Sequence, residues 1–498
     1  MDQIRLAHTK LYAITGIENV LALLKNGRDL TTTPLIVMAL ENSFGSPKAD
    51  STFYLEDDTG LAINPLPNSK MITPENRIQY LNHKAVNTYL SGKSLRKITE
   101  QFLENLADQI SKSTIGSENW TDIPDIYAFI RAEAFRSSIL ALCGPHILSF
   151  NPTFMQDFWE FDYWNVKLFK NFPRWLIPRA YQSRDKLHQS IKAWHAHANA
   201  HYDWPTYPTD TSEWEPNFGA RVMRARQKCF TGMPLSADAI AAADLGMIWG
   251  TMANAIPAIC WCIFDILARP ALLARVRDEI TPCLISAPDD IDLKFDIEKL
   301  CRIPLLQSIY AEELRLRVAV MVCRSPPKSD FQLAGWKIRK NAIATMFSWT
   351  AARDKEVWNT GNPSTPHPVD EFWEDRFIVY PNDSTSGPLL PNSKAISKPK
   401  PKPSIPPSPK NKNSPYFSIE NMAGAWIPYG GGQNMCPGRH FAKQEIIGSI
   451  AMFLTAYDIE LTVDDGWTPQ PDMSYFMFGT LPVKGKISAR IRRRKIPG

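Results

Sequence analysis

Residues 426–442 of this chain read WIPYGGGQNMCPGRHFA. The stretch holds one cysteine, Cys436, with Tyr429 seven residues before it, Gly432 four before it and Gly438 two after it. Because glycine has no Cβ, three successive glycines allow a tight turn and a close approach to a flat partner. A cysteine just ahead of a helix is favoured as a thiolate by the helix dipole and by neighbouring N–H groups. The pattern predicts a cysteine held as an anionic metal ligand, and a buried, inert cysteine is the alternative.

The composition sets limits on the class of protein. The chain has 498 residues, 44% of them hydrophobic and 21% charged, which is typical of a globular protein with a large core. Eight scattered cysteines without a CxxC pair argue against a disulfide framework or a zinc site and indicate a reducing compartment. The net charge of +5 equals that of residues 381–416 alone, which hold six Lys and one Asp. The charge therefore gives no indication of a nucleic-acid partner.

Three segments bear on domain organisation. Residues 381–416 are rich in Pro, Lys and Ser without apolar periodicity, which predicts a disordered insertion within a single domain, 1–498. Residues 245–267 carry no charge before Asp265 and are long enough to span a bilayer. The segment lies mid-chain, so we expect a core helix that is buried on all sides. The first residues show neither a signal peptide nor an anchor helix.

The pattern aromatic-x-x-Gly-x-x-x-Cys-x-Gly resembles the haem-binding loop of the cytochrome P-450 superfamily, with Tyr429 in place of Phe. Three further motifs in the expected order strengthen the resemblance. Glu312 and Arg315 match the Glu-x-x-Arg pair, and Arg376 matches the arginine that joins it. Arg324 matches an arginine that meets a haem propionate. The loop and the insertion are most like fungal members of secondary metabolism.

The resemblance implies a mainly α fold with a small β region and haem between the long central helix and the cysteine loop. It implies haem b as the cofactor, with Cys436 as the axial ligand of the iron. The remaining residues it implies are the cofactor contacts Arg324, Tyr429, Gly432, Asn434 and Gly438 and the structural brace Glu312, Arg315 and Arg376. The helical Trp and Arg that usually meet a propionate are not recognisable in residues 75–115. Residues 318–322 and 474–483 are expected to touch substrate.

The long central helix departs from the family. The usual Gly-x-Asp/Glu-Thr motif has Ala253 in place of the acid and Asn254 in place of the threonine, with Pro257 three residues on. This pattern resembles the sub-branch of steroid 7α-hydroxylases and prostacyclin synthase. In the family the acid and the alcohol relay protons to bound dioxygen. Asn254 lacks such a proton, so we expect it to orient a water or a substrate oxygen.

Three functions stay open. The first is a monooxygenase that oxidises an apolar terpenoid, steroid or polyketide intermediate with O2 and electrons from NADPH–cytochrome P-450 reductase. The second, suggested by Ala253 and Asn254, is a haem-thiolate isomerase or dehydratase that needs no reductase. The third is a non-catalytic truncated remnant, because the family's membrane helix, hinge, first helix and first two strands are expected to be missing.

A full-length form with an anchor would lie on the cytosolic face of the endoplasmic reticulum. The basic tail, residues 487–495, is expected to be solvated or to face the reductase.

Overall fold

The computed structural model describes residues 2–6, 9–70, 73–286, 293–390, 414–464 and 467–495. Helices dominate this part of the chain. They are α1 (Ile17–Lys25), α2 (Thr33–Met38), α3 (Lys48–Glu56), α4 (Ile78–Tyr89), α5 (Gly92–Ser111), α6 (Ile126–Cys143), α7 (His146–Ser149), α8 (Phe154–Phe169), α9 (Pro178–His201), α10 (Arg221–Thr231), α11 (Ala237–Leu267), α12 (Pro270–Ile280), α13 (Ile297–Leu300), α14 (Pro304–Arg317), α15 (Ser348–Ala351) and α16 (Arg439–Ala456).

The strands are short and form one main sheet with smaller ones around it. They are β1 (Asp2–Leu6), β2 (Thr9–Ala13), β3 (Thr121–Ile123), β4 (Trp214–Glu215), β5 (Gly219–Ala220), β6 (Val318–Arg324), β7 (Phe331–Leu333), β8 (Trp336–Ile338), β9 (Ile343–Phe347), β10 (Gly361–Asn362), β11 (Thr365–Pro366), β12 (Ile378–Val379), β13 (Tyr416–Phe417), β14 (Tyr457–Leu461), β15 (Phe478–Thr480) and β16 (Ala489–Arg493). The main sheet has the order β1-β2-β9-β6-β15, in which only β2 and β9 run parallel. The fold is mainly α with a small β region, as predicted.

The N-terminal residues correct one expectation. β1 and β2 pair as an antiparallel hairpin, from Asp2 opposite Ala13 to Leu6 opposite Thr9, and β2 continues into the main sheet beside β9. The two strands that were expected to be missing are therefore present. Polar residues interrupt the alternation in DQIRLAHTKLYA, and the partner strand β9 lies more than 300 residues away, so the local pattern indicates a strand only weakly.

α11 is the core of the molecule, as expected. Ser236 begins it by accepting a hydrogen bond from the N–H of Ala239, and Pro257 lies inside it. Within the described residues it is the one helix long and apolar enough to cross a membrane, yet 72% of its most apolar window is buried inside the protein. Burial on all sides by other helices accounts for the uniform apolar character.

Two further expectations about the surface need correction. Residues 381–390 are not disordered: the side-chain amide of Asn359 donates to the carbonyls of Thr385 and Gly387, and Leu389 bridges to Trp358. Residues 391–413, the rest of the proposed insertion apart from 414–416, lie outside the described residues. The basic tail forms strand β16, which pairs with β14 and β3. Two of its arginines form ion pairs, Arg490 with Glu460 and Arg492 with Asp458, so Ala489–Arg493 is a paired strand rather than a free solvated end.

Candidate active site

A cavity of about 560 Å³ lies between α11 and the cysteine loop. Its walls include the face of α11 around Gly250, strand β6, strand β15 and the loop that leads into α16, and helices α2, α4 and α16 add further residues. Both segments that were expected to touch substrate reach it, through Val318–Arg324 and through Phe478–Thr480. The fold therefore brings residues that are far apart in sequence around one space.

Cys436 lies on the wall of this cavity, two residues before Gly438, the N-cap of α16. Its backbone N–H donates to the carbonyl of Tyr429 at 3.0 Å, and its carbonyl accepts from Arg439 at 2.9 Å, so both sides of the turn are fixed. Burial raises the pKa of the Cys436 thiol, while the N–H of Gly438 and the charge and N–H of Arg439 act in the opposite direction. The groups at the helix start thus offset part of the effect of burial, and the thiolate stays a prediction.

Tyr429 also lines the cavity, and its hydroxyl has a partner that the sequence did not reveal. The hydroxyl groups of Tyr429 and Tyr310 lie 2.6 Å apart, and Tyr310 belongs to α14. Burial raises the pKa of both phenols. The hydroxyl that distinguishes Tyr429 from the Phe of the family thus ties the cysteine loop to α14.

The glycines of the loop serve two different purposes. Gly438 lines the cavity, and a Cβ there would lie 3.8 Å from the sulfur of Cys436. Gly432 does not line the cavity: it has a φ of +66°, and a Cβ there would lie 2.0 Å from the carbonyl oxygen of Leu24 in α1. The close approach that Gly432 permits is therefore to α1, which departs from the expectation of a cofactor contact.

Several polar groups line the cavity. Arg324 is buried, and its guanidinium donates to the carbonyls of Cys323 and Gly431 at 2.8 and 2.9 Å. Its Nε has no hydrogen-bond partner among the described residues, and burial lowers the pKa of this guanidinium. Asn434 accepts from the Thr32 hydroxyl at 3.3 Å. His83 of α4 lines the same cavity. The sequence did not indicate this residue, because the resemblance implied a Trp and an Arg in this region and not a His.

The predicted brace is present in full. Arg315 donates to both carboxylate oxygens of Glu312, at 2.7 and 2.8 Å, and Arg376 donates to Oε1 at 2.9 Å. All three side chains are buried. Burial alone would raise the pKa of Glu312, but the two guanidinium groups hold it below its usual value. Arg315 also donates to the carbonyls of Ala352 and Val369, so the brace fixes the chain that precedes the cysteine loop.

On α11 the two positions that depart from the family face different surroundings. Asn254 lines the cavity together with Gly250, Thr251 and Ala255. Ala253 does not line it and packs in the core, 8% exposed. The amide of Asn254 is already engaged, since Nδ2 donates to the Gly250 carbonyl and Oδ1 accepts from the N–H of Thr480, both at 3.0 Å. These bonds differ from the expectation of an amide directed at a water or a substrate oxygen.

A buried carboxylate supports another residue of the cavity wall. Trp249 of α11 lines the cavity, and its indole N–H donates to Asp162 of α8 at 2.7 Å. Burial raises the pKa of Asp162 to about 7 against the opposing effect of this hydrogen bond. The Trp249 ring also packs on the ring of Phe44, with 5.8 Å between the ring centroids. The sequence shows only an acid in an aromatic-rich helix, so this pairing required the structure.

The helical fold, the buried Glu–Arg brace and the cysteine at the cavity wall define a haem-thiolate enzyme. The comparison with protein families agrees, and the chain belongs to the cytochrome P450 family, whose profile matches residues 71–368. The fold is shared with the crystal structure of the cytochrome P450DA heme domain, with a TM-score of 0.65 and 15% identity over 99% of this chain and 90% of that one. The cofactor of the family is haem with a cysteine thiolate ligand.

Relatives in sequence refine this assignment. Cytochrome P450 monooxygenase fsoE of Humicola fuscoatra is 37% identical over 99% of this chain and 81% of its own length. Cytochrome P450 monooxygenase efuG of Hormonema carpetanum is 36% identical over 99% of this chain and 84% of its own. Cytochrome P450 7A1 of Oryctolagus cuniculus is 24% identical over 82% of this chain and 74% of its own. The chain is a monooxygenase of the fungal secondary-metabolism type, and its likeness to the 7A1 branch agrees with the motif in α11.

Proposed function

We propose that Cys436 ligates the haem iron and that the enzyme oxidises a large apolar molecule, a terpenoid, steroid or polyketide intermediate. O2 would be the oxidant, with electrons from NADPH through a flavoprotein reductase. The observation that carries this proposal is the position of Cys436, on the cavity wall and at the start of α16. A form with an anchor would act at the cytosolic face of the endoplasmic reticulum.

The donor set fits haem. Arg324 presents a buried guanidinium whose Nε lacks a partner and which forms no ion pair with a described carboxylate, as a site for a propionate would. His83, Asn434 and Thr32 supply further donors around the cavity. Cys436 supplies the soft anionic ligand. When bound, haem with a thiolate ligand favours O–O cleavage of bound dioxygen. The protein contributes the orientation of the substrate and the exclusion of water.

The rest of the cavity wall indicates the class of substrate. Much of it consists of aliphatic and aromatic side chains, among them Leu35, Ile36, Met247, Trp249, Val320 and Phe478. Such a surface gains free energy by covering apolar area and offers few hydrogen bonds to a polar substrate. A rigid polycyclic hydrocarbon skeleton with few oxygens suits it better than a charged or sugar-like molecule.

A second candidate is a reductase-independent rearrangement or dehydration on the same haem. The observation that favours it is α11, where Ala253 is packed in the core and the amide of Asn254 is bonded to backbone. The hydroxyl of Thr251 donates to the Met247 carbonyl at 3.0 Å, so its proton is engaged and does not replace the missing acid and alcohol. This candidate predicts turnover that needs neither NADPH nor reductase.

One experiment separates the two. The holoenzyme is incubated under 18O2 with a cytochrome P450 reductase, NADPH and a panel of terpenoids, steroids and polyketides. The proposal predicts an NADPH-dependent product that carries one 18O atom. A product that forms without NADPH and contains no 18O would instead support the rearrangement. The Cys436→Ala variant is the control for haem-independent conversion.

A further inference from the structure

Asn254 joins two walls of the cavity. Its Oδ1 accepts from the backbone N–H of Thr480 in β15, a residue 226 positions further along the chain. Its Nδ2 donates to the carbonyl of Gly250, four residues before it in α11. Other asparagines of the chain, such as Asn19 and Asn87, make the same bond to the carbonyl four residues earlier. The contact across to β15 distinguishes Asn254 from these two.

The contact satisfies a backbone group that the sheet leaves open. β15 is the edge strand of the main sheet, so only one of its two sides is paired, and that side pairs with β6. The other edge faces α11, whose side chains provide the hydrogen bonds that a further strand would give. Asn254 accepts from the N–H of Thr480, and the indole of Trp261 donates to the carbonyl of Leu481 at 2.8 Å. α11 therefore holds the segment at two points.

Gly479 shows how close the two walls lie. A Cβ at this position would lie 2.1 Å from Oδ1 of Asn254, and the next two nearest atoms, at 3.1 and 3.5 Å, also belong to Asn254. The φ of Gly479 is +137°, a conformation that side chains rarely adopt. The segment thus carries a glycine at the point where Asn254 contacts it.

We propose that Asn254 is a positioning residue that holds Phe478–Thr480 against α11 and thereby sets which large ligands the cavity admits. Phe478, Gly479 and Thr480 all line the cavity, so a shift of this strand changes the shape of the space. The role differs from orienting a water or a substrate oxygen at the iron. The inference rests on the proposed haem site only for its test ligands, and the geometry that carries it is independent of haem.

The test uses two azoles that bind ferric haem through one nitrogen and differ in bulk: imidazole and 1-phenylimidazole. The dissociation constants of both are measured from the Soret shift of the holoenzyme. Asn254→Ala is expected to raise the dissociation constant of 1-phenylimidazole about fivefold or more, close to 1 kcal/mol. It should raise that of imidazole less than about twofold. Asn19→Ala, which loses only a bond to the carbonyl four residues earlier, is the matched control and should leave both constants unchanged.

Two further variants distinguish positioning from a direct role. Trp261 does not line the cavity but holds the same segment, so Trp261→Phe should change the ratio of the two constants in the same direction as Asn254→Ala. Gly479→Ala should also change this ratio in the same direction. In the double variant Asn254→Ala/Gly479→Ala the methyl group no longer meets the amide, so the combined effect should be smaller than the product of the single effects.

The outcomes are distinct. The inference is overturned if Asn254→Ala leaves the ratio unchanged, if it weakens both azoles equally, or if Trp261→Phe has no effect while Asn254→Ala has one. Because Trp261→Phe and Asn254→Ala keep every glycine, the test does not depend on the folding of Gly479→Ala. Failure of the proposed function looks different: the unaltered protein would then show no Soret shift with imidazole.

Discussion

The two sides of the cavity are built in different ways. On the cysteine side, comprising residues 428–438 and α16, the hydrogen bonds of the Cys436 backbone are local: they join it to Tyr429 and Arg439, seven and three residues away. On the α11 side, comprising α11, β15 and α8, they are distant: Asn254 reaches Thr480 across 226 positions, and Trp249 reaches Asp162 across 87. The cysteine side keeps the family pattern, whereas the α11 side departs from it. Short-range contacts therefore position the Cys436 backbone, whereas the α11 side of the cavity takes its shape from contacts between elements that are distant in sequence.

The largest effect is expected at the brace behind the cysteine side. Glu312→Gln removes the charge that two buried guanidinium groups share, which should cost about 3–5 kcal/mol of unfolding free energy. Urea denaturation of the holoenzyme measures it. The control Glu298→Gln breaks exposed ion pairs with Arg96 and Arg302 and should cost at most about 1 kcal/mol. Similar losses of unfolding free energy in the two variants would show that the buried Glu–Arg brace stabilises the fold no more than an exposed ion pair does.

The next effect belongs to the α11 side. The pKa of Asp162 is raised to about 7, so the folded protein keeps this proton to a higher pH than the unfolded chain, which loses it near pH 4. Ionisation therefore destabilises the fold as the pH rises from about 4 to about 7. Asp162→Asn removes this loss and still accepts from Trp249. Its unfolding free energy relative to the unaltered protein should increase by on the order of 3 kcal/mol between pH 5 and pH 8.

That prediction is checked by denaturation at a series of pH values. A difference between Asp162→Asn and the unaltered protein that stays constant with pH would mean that the Asp162 carboxylate is not buried beside Trp249 as described.

A smaller effect is expected at Arg324, which lines the cavity. Arg324→Gln removes the buried charge proposed to meet a propionate, which should weaken haem binding by about 2 kcal/mol, or about 30-fold. The rate of haem transfer to apomyoglobin reports the change. Arg339→Gln, at an exposed position, is the control. Equal transfer rates for Arg324→Gln and the unaltered protein would exclude a propionate contact at Arg324.

The smallest effect returns to the cysteine side. Tyr429→Phe restores the ring of the family but leaves the buried hydroxyl of Tyr310 without its partner, at a cost of about 1 kcal/mol in unfolding free energy. Tyr310→Phe should cost a similar amount. The double variant should cost less than the sum, because neither hydroxyl is then left unpaired. Additive costs would show that the two phenols act independently.

The sequence predicted the parts of the site that depend on local spacing. Cys436, Gly438 and Glu312 with Arg315 lie at fixed short offsets, so a motif places them on the correct face of a turn or a helix. The apolar run of α11 likewise identified a core helix. These features require only the geometry of one element.

The remaining features depend on which elements pack together. The carbonyl of Leu24 that requires Gly432, the hydroxyl of Tyr310 opposite Tyr429, and the N–H of Thr480 bound by Asn254 all come from elements distant in sequence. The hairpin of β1 and β2 was missed for a similar reason, because the parallel partner β9 that anchors it lies far along the chain. Spacing within one segment holds no information on such partners.

The central claim is that Cys436 is the thiolate ligand of haem, and the absorption spectrum of the reduced, carbon monoxide-bound protein tests it most directly. The account predicts the red-shifted Soret band of a thiolate-ligated haem in the unaltered protein and in Cys301→Ala, a cysteine that does not line the cavity. It predicts the loss of that band in Cys436→Ala. A thiolate-type band that persists in Cys436→Ala, or a protein that retains no haem, would contradict the account.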